Sequence, residues 1–386
     1  MNGFGGLYVH IPFCRKKCRY CDFYSTEDLF LVPDFLDAVK QEMAMRAPRN
    51  LAFDTLYFGG GTPSLLSPKH LAVLMDHIFS LFQIHKNHEI TLEINPGTVN
   101  RSQLAAYARH GINRINIGIQ SFQDNHLKCL GRIHTADQGI HAVHLAREAG
   151  FNNIGLDLII GLPGQTREDL EKDLDQLLSF HPEHVSCYML SYEPGTPLHR
   201  MRESGLVHPL PERDVEAFYT FTSEFLESNG YEHYEISNFA KASTSPGVTS
   251  YRSRHNVKYW IGAPYMGFGP GAHSFLPPTR LRNSGAVDDY VKSIRARTLP
   301  FAETENLTES ERFMEEVFLS LRTRDGMVLN TFLTRYNVDI MKTYDRLIAE
   351  LRQGGYLTVA DDRIVLTRKG FLMADGISLK FIQGKK

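Results

Sequence analysis

The sequence has almost no net charge: 42 Lys and Arg stand against 44 Asp and Glu, leaving −2. That balance gives no global field for drawing in nucleic acid or an anionic membrane, and no nucleic-acid partner is expected. It also lacks an apolar run of the roughly 18 residues a membrane-crossing helix needs. The opening MNGFGGLYVHIPFC has no basic segment followed by an apolar one. No secretory signal is therefore expected, and the expected location is the cytoplasm. Cysteine is scarce, with five in 386 residues, and three of the five fall within eight positions. An odd, clustered count in a chain without a leader argues against a disulfide framework and for reduced thiols at a metal site. Tryptophan occurs once, at position 260.

What is present is a regular alternation of strand and helix. Strand-like runs cover 7–13, 54–61, 89–95, 114–121, 153–163 and 184–194, and helical spacing covers 33–47, 68–83, 101–110, 136–149, 167–179 and 211–229. Proline opens the first two helices and Thr166 is placed to cap the fifth. Six such βα units predict a parallel sheet with outer helices. An open, doubly wound sheet is the alternative. Cys14, Gly59 to Gly61, Glu93, Gln120 and Asp157 sit at or near the C-terminal ends of five different strands. Polar groups gathered at one end of successive strands favour a barrel, whose active sites lie there.

The expected fold class is thus α/β, a partial (β/α)6 TIM-type barrel over 1–235. The rhythm is lost in 236–305, which includes a Ser/Thr/Gly-rich stretch (242–253), and an extension over the barrel mouth is expected there. Residues 306–386 form a C-terminal α+β unit, with helices over 308–322 and 340–353, a break at Gly354-Gly355 and a hairpin across Asp361-Asp362. Helices followed by a β-wing predict a winged-helix-like domain. DNA binding is one reading of that tail, and a domain covering the barrel opening is the plainer one.

The densest chemical signal is CRKKCRYC, carrying Cys14, Cys18 and Cys21 in a loop after the first strand. Three thiolates can wrap a [4Fe–4S] cube and leave one iron open. A zinc site is the alternative and would want a fourth N or S ligand. Arg15, Lys16, Lys17 and Arg19 place positive charge beside the thiolates, and His10 on the preceding strand faces the cavity or supports the site. Gly59-Gly60-Gly61-Thr62-Pro63 follows the second strand, where glycines either make a turn or let backbone approach a ligand closely. Glu93 lies on an otherwise apolar strand, where burial without a partner is costly. Cys129 and Cys187 read as buried, inert thiols.

C-x3-C-x2-C after a first strand resembles the signature of the radical S-adenosylmethionine (SAM) superfamily. The resemblance implies that the open iron chelates the amino and carboxylate groups of SAM. Electron transfer would then cleave a carbon–sulfur bond to give methionine and a 5′-deoxyadenosyl radical, the hard chemistry being the cofactors' own. The glycine run resembles the family's GGE-type motif with Thr62 in place of the acid, as in the coproporphyrinogen-dehydrogenase-like branch. In that branch the residues bound to SAM match Tyr8, Tyr20, Gly60, Gly61, Thr62, Glu93, Gln120, Arg132 and Asp157, with Glu93 accepting from ribose hydroxyls.

His255, Asn256, Tyr259 and Trp260 resemble the HNxxYW motif of that branch's haem chaperone group, HemW, as does the GFGPGAHS that follows. This implies a histidine that ligates haem iron with aromatics that stack on the porphyrin; packing of a loop is the alternative. Coproporphyrinogen dehydrogenases continue their motif to a further cysteine, and Phe23 stands at that position here. Only 13 residues precede Cys14, so the longer N-terminal segment of those enzymes is expected to be missing. The resemblance therefore implies a protein that binds a [4Fe–4S] cluster, SAM and haem. It would pass haem to an acceptor such as a respiratory enzyme, membrane-associated or not, and take electrons from a donor. Capacity to cleave SAM is expected without coproporphyrinogen oxidase activity. An oxygen-independent coproporphyrinogen III dehydrogenase, or another tetrapyrrole-modifying enzyme, is the alternative. Monomer and homodimer both stay open.

Overall fold

The structure is a computed structural model that describes residues 3–48, 50–242 and 250–383. Six parallel strands form its centre: β1 (Gly5–Ile11), β2 (Ala52–Gly60), β3 (Gln83–Ile94), β4 (Arg114–Gln120), β5 (Ile154–Ile160) and β6 (His184–Met189). They lie in chain order, each paired with the next. The pleat sorts their side chains. Leu7, Val9, Ile11, Leu56 and Phe58 are buried in the apolar core under the outer helices, while the alternate residues Tyr8, His10, Thr55 and Tyr57 meet one another and the neighbouring strands in the interior. Helix starts are fixed locally: Asn100, Thr135 and Thr166 each close a capping box with the residue three places on, worth about 1 kcal/mol apiece.

Beyond the parallel strands the sheet grows at both edges. β7 (Tyr231–Glu235) and β8 (Asn238–Lys241) form a hairpin, of which β8 joins β6 antiparallel. On the other edge β9 (Tyr265–Phe268) runs parallel to β1, and β10 (His273–Leu276), β11 (Thr279–Asn283) and β12 (Phe301–Asn306) follow antiparallel. The result is a 12-stranded sheet. The sequence pattern here was short strands without helical spacers, which is why the six-unit rhythm stops. Residues 243–249 of the Ser/Thr/Gly-rich stretch lie outside the described residues.

One expectation is corrected. The segment 236–305 does not lie over the mouth as a whole; its helix Arg254–Trp260 sits at the opposite, N-terminal end of the strands. Gly6 and Thr55, in the early halves of β1 and β2, and Glu89, the register partner of Thr55 on β3, surround His255. Asp54 holds the same helix from outside through Arg254 and Lys258 at 2.7 and 2.6 Å, and Lys258 also donates to the Phe4 carbonyl.

The C-terminal unit carries helices Glu309–Leu321, Leu329–Tyr336, Asp345–Gln353 and Ala374–Gln383 with three shorter-range elements, β13 (Met327–Val328), β14 (Leu357–Ala360) and β15 (Arg363–Leu366). Its sheet is antiparallel in the order β13-β15-β14, with the hairpin turning at Asp361-Asp362 as the sequence indicated. It packs on the β7 edge of the sheet: Ile236 and Arg324 exchange backbone hydrogen bonds across the junction with Arg322 and Tyr234, and Arg252 pairs with Asp325. Among the described residues no helix is long and apolar enough to cross a membrane.

Candidate functional site at the barrel mouth

The cysteine loop leaves the end of β1 and is pinned at its neck. The Cys14 N–H donates to the Thr26 carbonyl at 2.9 Å, and Thr26 returns a bond to Pro12. Two short helices absent from the sequence reading, Asp124–Leu130 and Pro197–Glu203, hold its middle. Arg19 donates to the Leu130 carbonyl and accepts from Leu198. At seven residues each, these helices are too short for periodicity to reveal. Cys14 is buried, and Cys18 and Cys21 are half-exposed. Burial pushes the Cys21 thiol up to about 11, so a metal must displace a proton to bind there. Among the described residues no three His, Cys, Asp or Glu side chains converge on one point as a single-ion site requires. Thiols spread along one loop suit a cube in which each binds a different iron.

The glycine run is a close approach rather than a free turn. Gly60 has φ +113°, and a Cβ there would meet the His10 ring at 2.7 Å. At Gly61 a Cβ would fall 2.6 Å from the Phe13 carbonyl oxygen. The glycines thus let β2's end lie directly against the root of the cysteine loop, and the Gly61 N–H donates to Ile11. Thr62, buried, reaches Cys14 Sγ at 3.6 Å through its hydroxyl.

Glu93 accepts from the Tyr57 hydroxyl at 2.7 Å and from the Gly60 N–H at 3.3 Å. Desolvation nevertheless holds its carboxyl up near 7. Asp157, also pushed up by burial, accepts from Asn116 through Oδ2 at 2.6 Å, while its buried Oδ1 has no partner. Gln120 ends β4 at φ +72°, a left-handed conformation uncommon for a side-chain-bearing residue and characteristic of functional positions. Arg132 spans the mouth. Its guanidinium donates to Cys18 Sγ at 3.5 Å and to Asn95 and Gly118 O at 2.7 Å each, and its Nε is buried without a partner. Burial raises the Tyr20 phenol, and the Arg132 charge beside it works the other way. Tyr8 bonds His10 Nδ1 at 3.1 Å, and His10 Nε2 lies 3.0 Å from the Tyr24 carbonyl oxygen, which fixes the imidazole, lowered by burial, as a neutral prop for the loop.

The nine side chains and backbone positions expected to face SAM therefore come from five different strands and loops into one polar basin beside the cysteines. Asn95 was missed: its amide donates to Thr62 Oγ1 at 2.8 Å and its carbonyl accepts from Arg132. Its place just after Glu93, before Pro96-Gly97, was the available signal. Asn116 and Tyr57, the props of Asp157 and Glu93, were missed because each reads as an ordinary strand residue.

The second expected site is elsewhere. His255 is 1% exposed, and both its ring nitrogens are engaged, Nδ1 by Thr55 at 2.9 Å and Nε2 by Tyr259 at 2.9 Å. Its ring lies 5.2 Å from that of Tyr57, and burial holds its pKa down to about 3. As placed it plugs the barrel's base and offers no free nitrogen to iron, because each nitrogen already has a neighbour. Tyr259 packs edge-on against Tyr265. Asn256 is half-buried, its N–H capped by Ser253. Trp260 faces the C-terminal unit, under the Arg322 guanidinium. Phe23 stands 69% exposed at the rim of the cysteine loop.

Residues 8–177 match the family model of the radical SAM superfamily, and 307–373 match that of the HemN C-terminal domain. The sequence is 34% identical to the haem chaperone HemW of Bacillus subtilis, over 97% of this chain and 98% of that one. It is 35% identical to HemW of Lactococcus lactis, over 97% and 96%. Among solved structures, coproporphyrinogen III oxidase (HemN) from Escherichia coli superposes with a TM-score of 0.84 at 23% identity, covering 98% of this chain and 90% of that one, a likeness of fold.

Proposed function

The chain belongs to the HemW family of radical SAM proteins, and from that membership we propose that it is a haem chaperone, carrying haem to acceptor proteins rather than oxidising a porphyrinogen. The observation that carries this reading is the relation to HemW chains over nearly the full length of both partners. Phe23, in place of the further cysteine of the dehydrogenases, supports it.

In this reading Cys14, Cys18 and Cys21 hold the [4Fe–4S] cluster. The polar basin holds SAM: Gly60, Gly61 and Thr62 bring backbone to its amino end, Glu93 accepts from ribose hydroxyls, and Asp157 Oδ1 and the Arg132 Nε–H are the free acceptor and donor. The cluster, when reduced, supplies the electron that can cleave SAM. The chain's own work is to position them: β2's end is pressed against the root of the loop, and Arg132 sets a positive charge at a thiolate. The acceptor would be a haem-requiring protein such as a respiratory enzyme, with an electron donor docking near the exposed loop.

The test pairs two assays on anaerobically reconstituted protein. Haem titration is expected to give a saturable Soret band, and coproporphyrinogen III no turnover. Turnover without haem binding would overturn the chaperone reading.

A further inference from the structure

Asn95 directly follows β3 and precedes Pro96. Its backbone is tied on both sides. The Asn95 N–H donates to Ser64 Oγ at 3.4 Å, and the Asn95 carbonyl accepts from the Thr98 hydroxyl at 2.6 Å. Ser64 and Thr98 are buried and share a hydroxyl bond of 2.7 Å. The side-chain amide lies over Gly118 of β4, where a Cβ would stand 3.1 Å from Asn95 Oδ1. An amide held this firmly at a loop start serves its side-chain partners, not the turn alone.

Those partners form two arms, and each arm ends on a cysteine sulfur. Arg132 Nη2 donates to Asn95 Oδ1 at 2.7 Å, and Arg132 Nη1 donates to Cys18 Sγ at 3.5 Å. Asn95 Nδ2 donates to Thr62 Oγ1 at 2.8 Å, and the Thr62 hydroxyl reaches Cys14 Sγ at 3.6 Å. The direction of this chain is forced. A guanidinium cannot accept, so Asn95 must turn its oxygen to Arg132 and its NH2 to Thr62. The Thr62 oxygen then accepts from Asn95, which leaves its own proton for Cys14 Sγ. The third sulfur, on Cys21, is served locally by a backbone bond at Phe23. Arg132 keeps its Nε free for SAM, so the arm to Cys18 and the SAM contact use different nitrogens.

We propose that Asn95 is a positioning residue that sets the reduction potential of the cluster by aiming Thr62 at Cys14 and Arg132 at Cys18. The proposal rests on the reading that these cysteines hold the cluster. Reduction adds negative charge to the cluster and its sulfurs, and hydrogen-bond donors at those sulfurs stabilise that charge. Two donors aimed at two thiolates therefore favour the reduced state. Asn95 touches neither cysteine, so its whole effect passes through the two arms.

The test is a redox titration of the reconstituted full chain without SAM, read by the EPR signal of the reduced cluster, with iron counted alongside. Asn95→Ala is expected to keep about four irons per chain, because the three cysteines remain. At a fixed poise its ratio of reduced to oxidised cluster is expected to fall about tenfold, a midpoint lower by about 59 mV for a one-electron couple. Thr62→Val, which removes the hydroxyl and keeps the shape, is expected to lower that ratio about threefold. The double variant is expected to match Asn95→Ala, since both changes break the same arm. An intact cluster with an unmoved midpoint in Asn95→Ala overturns the proposal and leaves the cluster reading standing. A double variant in which the two shifts add in full also overturns it. Should Asn95→Ala hold no cluster, Thr62→Val decides alone, and an unmoved midpoint there overturns the proposal. Wild-type protein that takes up no cluster overturns the cluster reading and the proposal together.

Discussion

The two ends of this barrel are built from similar residues to opposite purposes. At the mouth, charged and polar groups are left short of partners: Asp157 Oδ1 and Arg132 Nε are buried and unpaired, and Glu93 is held up near 7 despite two donors. At the base, the side chains of the plugging helix answer the strands around them. His255 is bonded on both nitrogens, its N–H reaches Glu89, and Asp54 takes both Arg254 and Lys258. A buried polar group costs free energy until something pairs with it. Around His255 the base meets that cost within the chain, although Trp260 Nε1 at the end of the same helix has no partner, whereas the mouth leaves it for a ligand. A histidine beside aromatics is thus no sign of a binding site until its nitrogens are counted.

The largest effect should come from the mouth. Replacing Cys14, Cys18 and Cys21 together with alanine should take iron from about four atoms per chain to none on reconstitution, with the fold kept because the loop neck is tied by backbone bonds. Iron and sulfide assays with circular dichroism read both. A triple variant that still held a cluster would erase the chemical distinction between the ends.

At the base, His255→Ala should cost stability first. It leaves a cavity beside Tyr57 and strands the Thr55 and Tyr259 hydroxyls, together worth about 3–5 kcal/mol. Urea denaturation measures that loss, while the cluster's response to SAM should survive in the folded fraction. A variant of undiminished stability that lost the SAM response would show that the two ends are not separate.

How much of this was legible follows the same division. The six parallel strands and the mouth residues could be found because each polar residue ends an apolar run, and strand ends in a βα barrel all point one way. The capping box at Thr166 and the turn at Asp361-Asp362 are likewise local signals. The base was misplaced because nothing local says which end of a barrel a helix closes. Helix Arg254–Trp260 is put there by contacts with Gly6, Thr55 and Glu89, some 165 to 250 positions away in the chain. Asn95 escaped for a related reason: its partners Thr62 and Arg132 lie on different units, and a lone Asn before Pro also suits a turn.

The subtlest way to sharpen the contrast is a pH titration of Glu93. Its carboxyl ordinarily ionises near 4.5 and is raised to about 7 in the folded chain, chiefly by desolvation. Between those values the native state keeps a proton that the unfolded chain has lost, so stability falls as pH rises through that window. At about 1.4 kcal/mol per unit, the loss is at most on the order of 3 kcal/mol. Glu93→Gln has no such proton to keep, although its amide must also accommodate the Tyr57 hydroxyl and the Gly60 N–H, which fixes a constant offset. The stability difference between wild type and variant should therefore change by about 2–3 kcal/mol from roughly pH 5 to pH 8, in favour of the variant at the high end. Urea denaturation at several pH values without SAM measures it. A flat difference would mean that Glu93 is satisfied within the chain as the base residues are, and the mouth would then lose the feature that most sets it apart.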